Sequence, residues 1–248
     1  MVLSLFDPLR IWGQRIAEDV KGFRREIYRR RGRKILYYAL MDPDVLNLLK
    51  YNTTAADFEH AHLLDVPSFK SREQLYRWAL AHVDDDEGLF LEFGVMHGAS
   101  INRLARLKPA VTFYGFDSFM GLPESWMGPA KKGAMTRHGA LPPVRSNVNL
   151  VKGAFEHTLR PFVADRRGAK ISFMHVDCDL YSSTRTILTE VRTMLRSGTI
   201  IVFDDFFNFA RWEEGEYKAL MEFAAETGTR FEYIGYIRTG SQVAIRLA

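Results

Sequence analysis

From Leu89 onward, strand-type and helix-type patterns alternate, and this restricts the fold more than any other feature of the chain. Short apolar runs rich in β-branched and aromatic residues predict strands at about 89–94, 111–116, 148–152, 170–177, 199–204, 230–237 and 242–247. Helical spacing predicts helices at about 99–107, 156–165, 182–196 and 214–227. Such alternation argues for a parallel sheet with helices on both faces. Only a short turn around Arg238-Thr239-Gly240 separates the last two strands, too few residues for a parallel crossover, so they should form an antiparallel hairpin. The expected fold is α/β: a doubly wound, mostly parallel seven-stranded sheet ending in that hairpin.

Chemistry-bearing residues gather where these strands end. Leu89-Phe90-Leu91-Glu92-Phe93-Gly94 runs into Val95-Met96-His97-Gly98-Ala99-Ser100, a strand, a tight turn and a helix start. Glycines at 94 and 98 permit unusual backbone angles and close approach of a ligand. The free N–H groups of the next helix suit a carboxylate. The spacing is G-x-x-x-G, not the G-x-G-x-x-G of dinucleotide sites, which counts against a dinucleotide-dependent oxidoreductase. Asp117 closes the second strand, 25 residues after Glu92, where a carboxylate can accept the hydroxyls of a ribose or simply cap a helix.

Asp177, Asp179, Asp204 and Asp205 close two further strands in pairs. Clustered acids repel one another, and without a cation some must hold protons. Several carboxylates around an open position suit a hard divalent cation such as Mg²⁺. No Cys/His set has zinc spacing. His97 and His175 flank these motifs, as bases or as hydrogen-bonded core residues. Cys178, the single cysteine, lies between two acids that raise its pKa, which makes it a poor nucleophile.

Upstream, the chain divides into a basic helical arm at 1–66 and a domain at 67–248. Residues 1–34 carry ten Lys/Arg against four Asp/Glu, whereas the remainder is slightly acidic. The positive charge therefore belongs to the arm and not to the body, which argues against a nucleic-acid partner. Trp12, Ile16, Val20, Phe23 and Ile27 recur at helical spacing. That stripe can pack on its own domain, on a second copy in a homodimer, or on an anionic membrane surface. Ser71 and Gln74 predict a capping box opening a helix over Leu75, Trp78, Ala79 and His82. One cysteine and the lack of a signal-type N-terminus fit a cytoplasmic location, with membrane association through the arm as an option. Residues 118–147 form one long irregular stretch containing Trp126, Lys131, Lys132, Arg137 and His138, of the kind that serves as a lid or substrate loop.

Residues 89–248 resemble the class I S-adenosylmethionine-dependent methyltransferases, and within them the macrocin O-methyltransferase (TylF/MycF-like) family. The carrying segments are Glu92 to Ser100, Gly115-Phe116-Asp117-Ser118-Phe119-Met120-Gly121-Leu122-Pro123-Glu124, Asp177-Cys178-Asp179-Leu180-Tyr181-Ser182-Ser183-Thr184 and Phe203-Asp204-Asp205-Phe206. The resemblance implies a Rossmann-like methyltransferase sheet and S-adenosylmethionine held by Glu92, Gly94, Gly98 and Ser100. It implies Asp117 on the ribose, Gly153-Ala154-Phe155 near the adenine, and Asp177 bordering the donor. It implies Mg²⁺ on Asp177, Asp204 and Asp205, with Asp179 as general base. The implied acceptor is a small-molecule hydroxyl, of a sugar or a glycosylated compound; a catechol-type phenol is the rival. The basic arm and Phe206-Phe207-Asn208-Phe209 depart from the sugar-modifying antibiotic enzymes.

Overall fold

The computed structural model describes residues 29–30, 32–34, 42–126 and 130–248. The arm stripe from Trp12 to Ile27 lies outside the described residues. The chain divides into two compact units, Met1–Lys50 and Tyr51–Ala248. In the first, residues 29–30, 32–34 and the start of helix α1 (Pro43–His62) are helical. No helix among the described residues is long and apolar enough to cross a membrane.

In the second unit the elements follow as β1 (Ser68–Phe69), α2 (Arg72–Ala81), β2 (Leu89–Phe93), α3 (Ala99–Leu107), β3 (Phe113–Asp117) and β4 (Val148–Lys152). Then come α4 (Phe155–Asp165), β5 (Ile171–Val176), α5 (Tyr181–Glu190), β6 (Ile200–Phe203), α6 (Glu216–Thr227), β7 (Phe231–Ile237) and β8 (Val243–Leu247). All seven strands read from the sequence are present. An eighth, the two-residue β1, adds to the β7 edge in parallel. It was invisible to periodicity because two residues carry no period. The helix expected over 182–196 ends at Glu190, giving way to a 3₁₀ turn at Arg192–Met194. The helix expected from 214 starts at Glu216, after a 3₁₀ turn at Trp212–Glu214.

The strand order is β1-β7-β8-β6-β5-β2-β3-β4. Pairing is parallel except where β8 meets β6 and β7, which is the expected hairpin geometry. From β2 the chain winds outward through β3 and β4, then crosses back to β5 and β6 on the other side. The switch point of the sheet therefore falls between β2 and β5, where open α/β sheets bind ligands.

Every residue of β5 and β6 is buried, in keeping with strands covered on both faces. On one face, Leu75, Tyr76, Ala79 and Leu80 of α2 and Ile101, Leu104 and Ala105 of α3 pack against Phe90, Phe113 and Phe173. On the other, Leu159 and Phe162 of α4, Ile187 and Leu188 of α5 and Leu220 and Phe223 of α6 cover Phe93, Phe116, Met174 and Val176. The later half of α1 joins this second layer. Phe58 is buried among Phe206, Phe207, Trp212, Tyr217 and Tyr233, and truncating such a side chain costs about 3–5 kcal/mol.

The capping box forms only in half. Ser71 Oγ accepts from the Gln74 N–H at 3.3 Å, but Gln74 Oε1 accepts from the Lys70 N–H, one residue before the cap.

Gly94 is fixed by space as well as by angle. Its φ is +91°, and a Cβ there would lie 1.8 Å from the Asp177 carbonyl oxygen, with the β5 backbone unable to retreat. Gly228, after α6, has φ +72° but open space around it. Gly94→Ala should therefore lower the unfolding free energy by about 3 kcal/mol or more, the range of core overpacking plus strain. Gly228→Ala should lose only about 1–2 kcal/mol of left-handed strain. Urea unfolding of both variants measures the difference, and equal losses would contradict the close-approach account.

Candidate active site

Register aligns the strand ends. Phe93 of β2 pairs with Phe116 of β3 and with Val176 of β5, and Val176 pairs with Phe203 of β6. The next residue of each strand then donates its N–H to the neighbour: Gly94 to the Phe116 carbonyl at 2.9 Å, Asp177 to Phe93 at 2.8 Å and Asp204 to Val176 at 2.9 Å. Gly153 donates likewise to the Asp117 carbonyl at 3.0 Å. The glycine turn and the acids thus stand abreast along one sheet edge, beneath a cleft of about 1100 Å³.

Gly94, Ser100, Asp117, Gly153, Ala154 and Phe155 line this cleft, as do Asp177, Asp179, Asp204 and Asp205. Glu92 and Gly98 do not. Gly98 is the N-cap of α3 with φ +79° and offers no side chain to the N–H groups of that helix. Glu92 is wholly buried, accepting from Ser100 Oγ at 2.9 Å and lying 3.1 Å from His175 Nδ1. Burial raises its pKa, against the lowering pull of His175.

The Asp117 carboxylate is occupied by the protein itself. Oδ2 accepts from the Val95 and Met96 N–H groups at 2.9 and 2.8 Å, and Oδ1 accepts from the Phe119 N–H at 2.7 Å. It therefore holds the glycine turn in place. An ionised carboxylate has roughly four lone-pair sites, so Oδ1 keeps one free for a ligand hydroxyl.

The acids pack more deeply than sequence alone discloses. Burial pushes Asp177 up to about 8, and the nearby Asp204 charge adds to this. Burial also pushes Asp205 up to about 9, with Asp179 next in effect. Asp179 is raised by burial too, but its bond to Asp205 works the other way. The hydrogen bond between the two thus lowers Asp179 and raises Asp205, as expected of like charges in one site. Asp179 itself sits at φ +63°, a conformation that costs a non-glycine residue energy and turns its side chain beside Asp205.

Asp204 behaves differently. Burial raises its pKa, but His175, Arg72 and Gln242 together bring it below the ordinary value. Its Oδ2 accepts from Arg72 Nη2 and, at 3.2 Å, from Gln242 Nε2. Its Oδ1 is buried without a hydrogen-bond donor. His175 Nε2 lies 3.7 Å from that oxygen, too far for a hydrogen bond. Burial disfavours a charged His175, yet Asp204 and Glu92 outweigh it and hold its pKa well above the usual value. His175 Nδ1 lies 3.1 Å from Glu92 Oε2, and Nε2 lies 3.1 Å from the Tyr76 hydroxyl.

One donor atom each from His175, Asp177 and Asp204 lies within 4.8 Å of the others. The orphaned Asp204 oxygen and the high Asp177 pKa are both observations a divalent cation would relieve, so Asp177 and Asp204 fit a metal. Asp205 turns instead toward Asp179 and Glu216, whose Oε2 accepts from the Asp205 N–H at 3.0 Å. Glu216 is fully buried, and its pKa is raised well above the usual value by burial. Cys178 is buried, which raises its pKa, as its position between acids implied.

Sequence reasoning missed Arg72, Tyr76, Glu216 and Gln242. Arg72 and Tyr76 are one turn apart on α2, so both reach the site from outside the sheet. One signal was available: Arg72 opens its helix, the end at which a cation is disfavoured by the helix dipole.

The irregular stretch 118–147 contains no helix or strand among its described residues. It is tied to itself by the Leu122 N–H to Ala134 and Gly133 N–H to Leu122 bonds, and to α5 by Ser182 Oγ donating to Glu124 at 2.6 Å. Met120, Trp126, Lys132 and Met135 from it line the cleft.

Residues 91–206 match the family described as a methyltransferase domain. The fold is similar to that of CalS11, a calicheamicin methyltransferase, at 23% identity over 70% of this chain and 77% of that one, with a TM-score of 0.57. It is also similar to the O-methyltransferase NovP, at 22% identity over 71% and 78% of the two chains, with a TM-score of 0.52. A second structure of CalS11, described as TDP-rhamnose 3′-O-methyltransferase, matches at 19% identity over 83% and 95%, with a TM-score of 0.50. Among curated proteins, none matches the chain in sequence. Residues 91–206 are thus similar to a methyltransferase domain, and the chain has the Rossmann-like fold of the methyltransferases it resembles.

Because Asp117 carries three backbone N–H groups, Asp117→Asn would set an amide N–H₂ against at least one of them. The variant should lose about 1–3 kcal/mol of stability without any ligand present, the cost of an unsatisfied buried donor. Thermal unfolding of the ligand-free protein tests this, and an unchanged midpoint would mean that the turn does not depend on Asp117.

Proposed function

We propose that this methyltransferase takes its methyl group from S-adenosylmethionine and delivers it, with the help of Mg²⁺, to a hydroxyl of a sugar or glycosylated small molecule. The observation that carries this reading is the row of strand ends: a glycine turn and four aspartates opening into one cleft at the switch point of the sheet. When bound, S-adenosylmethionine supplies an electrophilic methyl carbon, and Mg²⁺ supplies a Lewis acid that lowers the pKa of a coordinated hydroxyl.

The chain's own residues divide the remaining work. The uncapped N–H groups at the start of α3 suit the donor's carboxylate, beside Ser100. Asp117 Oδ1 is placed for a ribose hydroxyl, and Gly153-Ala154-Phe155 would border the adenine. Asp177 and Asp204 would hold the cation, with Asp205 as third acid of the proposed set. Asp179 is the proposed base. Burial raises its pKa, which makes it a more willing acceptor of the hydroxyl proton.

The macrocin O-methyltransferase family is the subfamily we propose, on the Asp117–Glu124 and Asp177–Thr184 segments. The description of one similar structure as a TDP-rhamnose methyltransferase supports a sugar acceptor. A second reading, a catechol-type phenol, is favoured by the apolar wall of Met120, Trp126 and Met135 in the same cleft.

Asp177→Ala or Asp204→Ala should abolish turnover while S-adenosylhomocysteine still binds by calorimetry. Asp179→Asn should lower kcat by about 10²–10⁴-fold with little change in donor affinity, the usual weight of a general base. Undiminished methyl transfer in EDTA would sink the metal part. A panel of free sugars, nucleotide-linked sugars and catechols, read by methyl incorporation, separates the two acceptor classes; turnover confined to catechols would overturn the sugar reading.

A further inference from the structure

Arg72 has no evident role in its own helix. It occupies the first position of α2, where the dipole opposes a positive charge, and it is 132 residues away from its partner in sequence. Its guanidinium nevertheless binds Asp204 Oδ2, on the carboxylate that lies beside Asp177. Asp177 also acts on Arg72 electrostatically. The two partners differ in freedom: the Arg72 side chain is 50% exposed and Asp204 only 3%. Asp204 is also anchored from behind, since Ser241 Oγ donates to its carbonyl at 2.6 Å and Gln242 Nε2 to both its carbonyl and its carboxylate at 3.2 Å. Of the two, the arginine is the partner able to move when a second cation reaches this carboxylate.

Resting on the metal-assisted reading above, we propose that Arg72 is the resident counter-cation of the carboxylate site and sets its affinity for a divalent ion by competing for Asp204. In the metal-free protein the guanidinium offsets part of the charge of the clustered acids. A divalent ion held by Asp177 and Asp204 meets that positive charge at close range, across a carboxylate that is almost fully buried. The ion has Oδ1 open to it while the guanidinium sits on Oδ2 of the same carboxylate, so the two cations compete by repulsion, which favours withdrawal of Arg72 toward the cleft whose wall it already forms. The price of this arrangement is a weaker metal site than the number of carboxylates would suggest. What it secures is a charge balance among the clustered acids when no metal is bound.

The experiment is a Mn²⁺ titration of the full-length protein, following the free-ion electron paramagnetic resonance signal, on wild type, Arg72→Gln, Arg72→Lys and Asp177→Asn. Removing the charge should tighten Mn²⁺ binding by about tenfold or more. Arg72→Lys, which keeps the charge, should stay within about threefold of wild type, below the roughly 1.4 kcal/mol that a tenfold change represents. Asp177→Asn should abolish binding and so locate the ion. Arg72→Gln binding no tighter than wild type would overturn the proposal, as would equal tightening by lysine, or no Mn²⁺ binding by any of the proteins. Thermal unfolding without metal confirms that each variant is folded. Donor binding, measured with S-adenosylhomocysteine on the same samples, reports separately on the methyltransferase reading.

Discussion

The parallel register of β2, β3, β5 and β6 is the constraint on which the rest of the molecule depends. Because Phe93, Phe116, Val176 and Phe203 are paired across the sheet, the residues that follow them emerge side by side. Hydrogen bonds from Gly94, Asp177 and Asp204 to neighbouring strands extend the ladder by one step past each strand end. A slip of one residue would turn every side chain to the opposite face and scatter the acids. The register is held by burial on both faces, since β5 and β6 have no exposed residue with which to tolerate a slip.

That row brings like charges together, and the surrounding structure is arranged to accommodate them. The accommodation takes three forms. Burial and the neighbouring acids hold the pKa values of Asp177 and Asp205 high, at about 8 and about 9, which favours protonation when no cation is bound. Arg72 pairs with Asp204, and His175, whose pKa is held well above the usual value, stands near it. Glu92 is drawn beneath the floor, where Ser100 and His175 hold it. The result is a site with two characters: a donor side built from backbone and glycine, pinned by Asp117, and an acidic side whose charge is only partly balanced.

Much of this was legible beforehand. The seven principal strands, their helices and the closing hairpin follow from periodicity and from one short connection. The cleft-lining role of Gly94, Asp117, Gly153 and the four aspartates follows from their position at strand ends. The illegible parts share a cause. β1 is too short to carry a pattern, and the 3₁₀ turns after α5 and before α6 continue a helical rhythm without continuing the helix. Arg72 and Tyr76 sit on a helix that precedes the alternating region, and nothing local says which strand end that helix will cover. Glu92 reads as a site residue because it sits in a motif, yet its side chain points into the interior, where it ties α3 to β5.

The sequence by itself determined the class of fold and the chemistry at its edge, because periodicity reports which face of an element is buried and strand ends are where ligand groups emerge. Tertiary structure alone decided how the acids divide. It set Asp179 against Asp205, left Asp204 Oδ1 without a donor, and placed Arg72 on the opposite oxygen. Those outcomes depend on distances of a few ångströms between residues up to 132 positions apart. Coulomb energies in a buried site change steeply over such distances, and no local pattern encodes them.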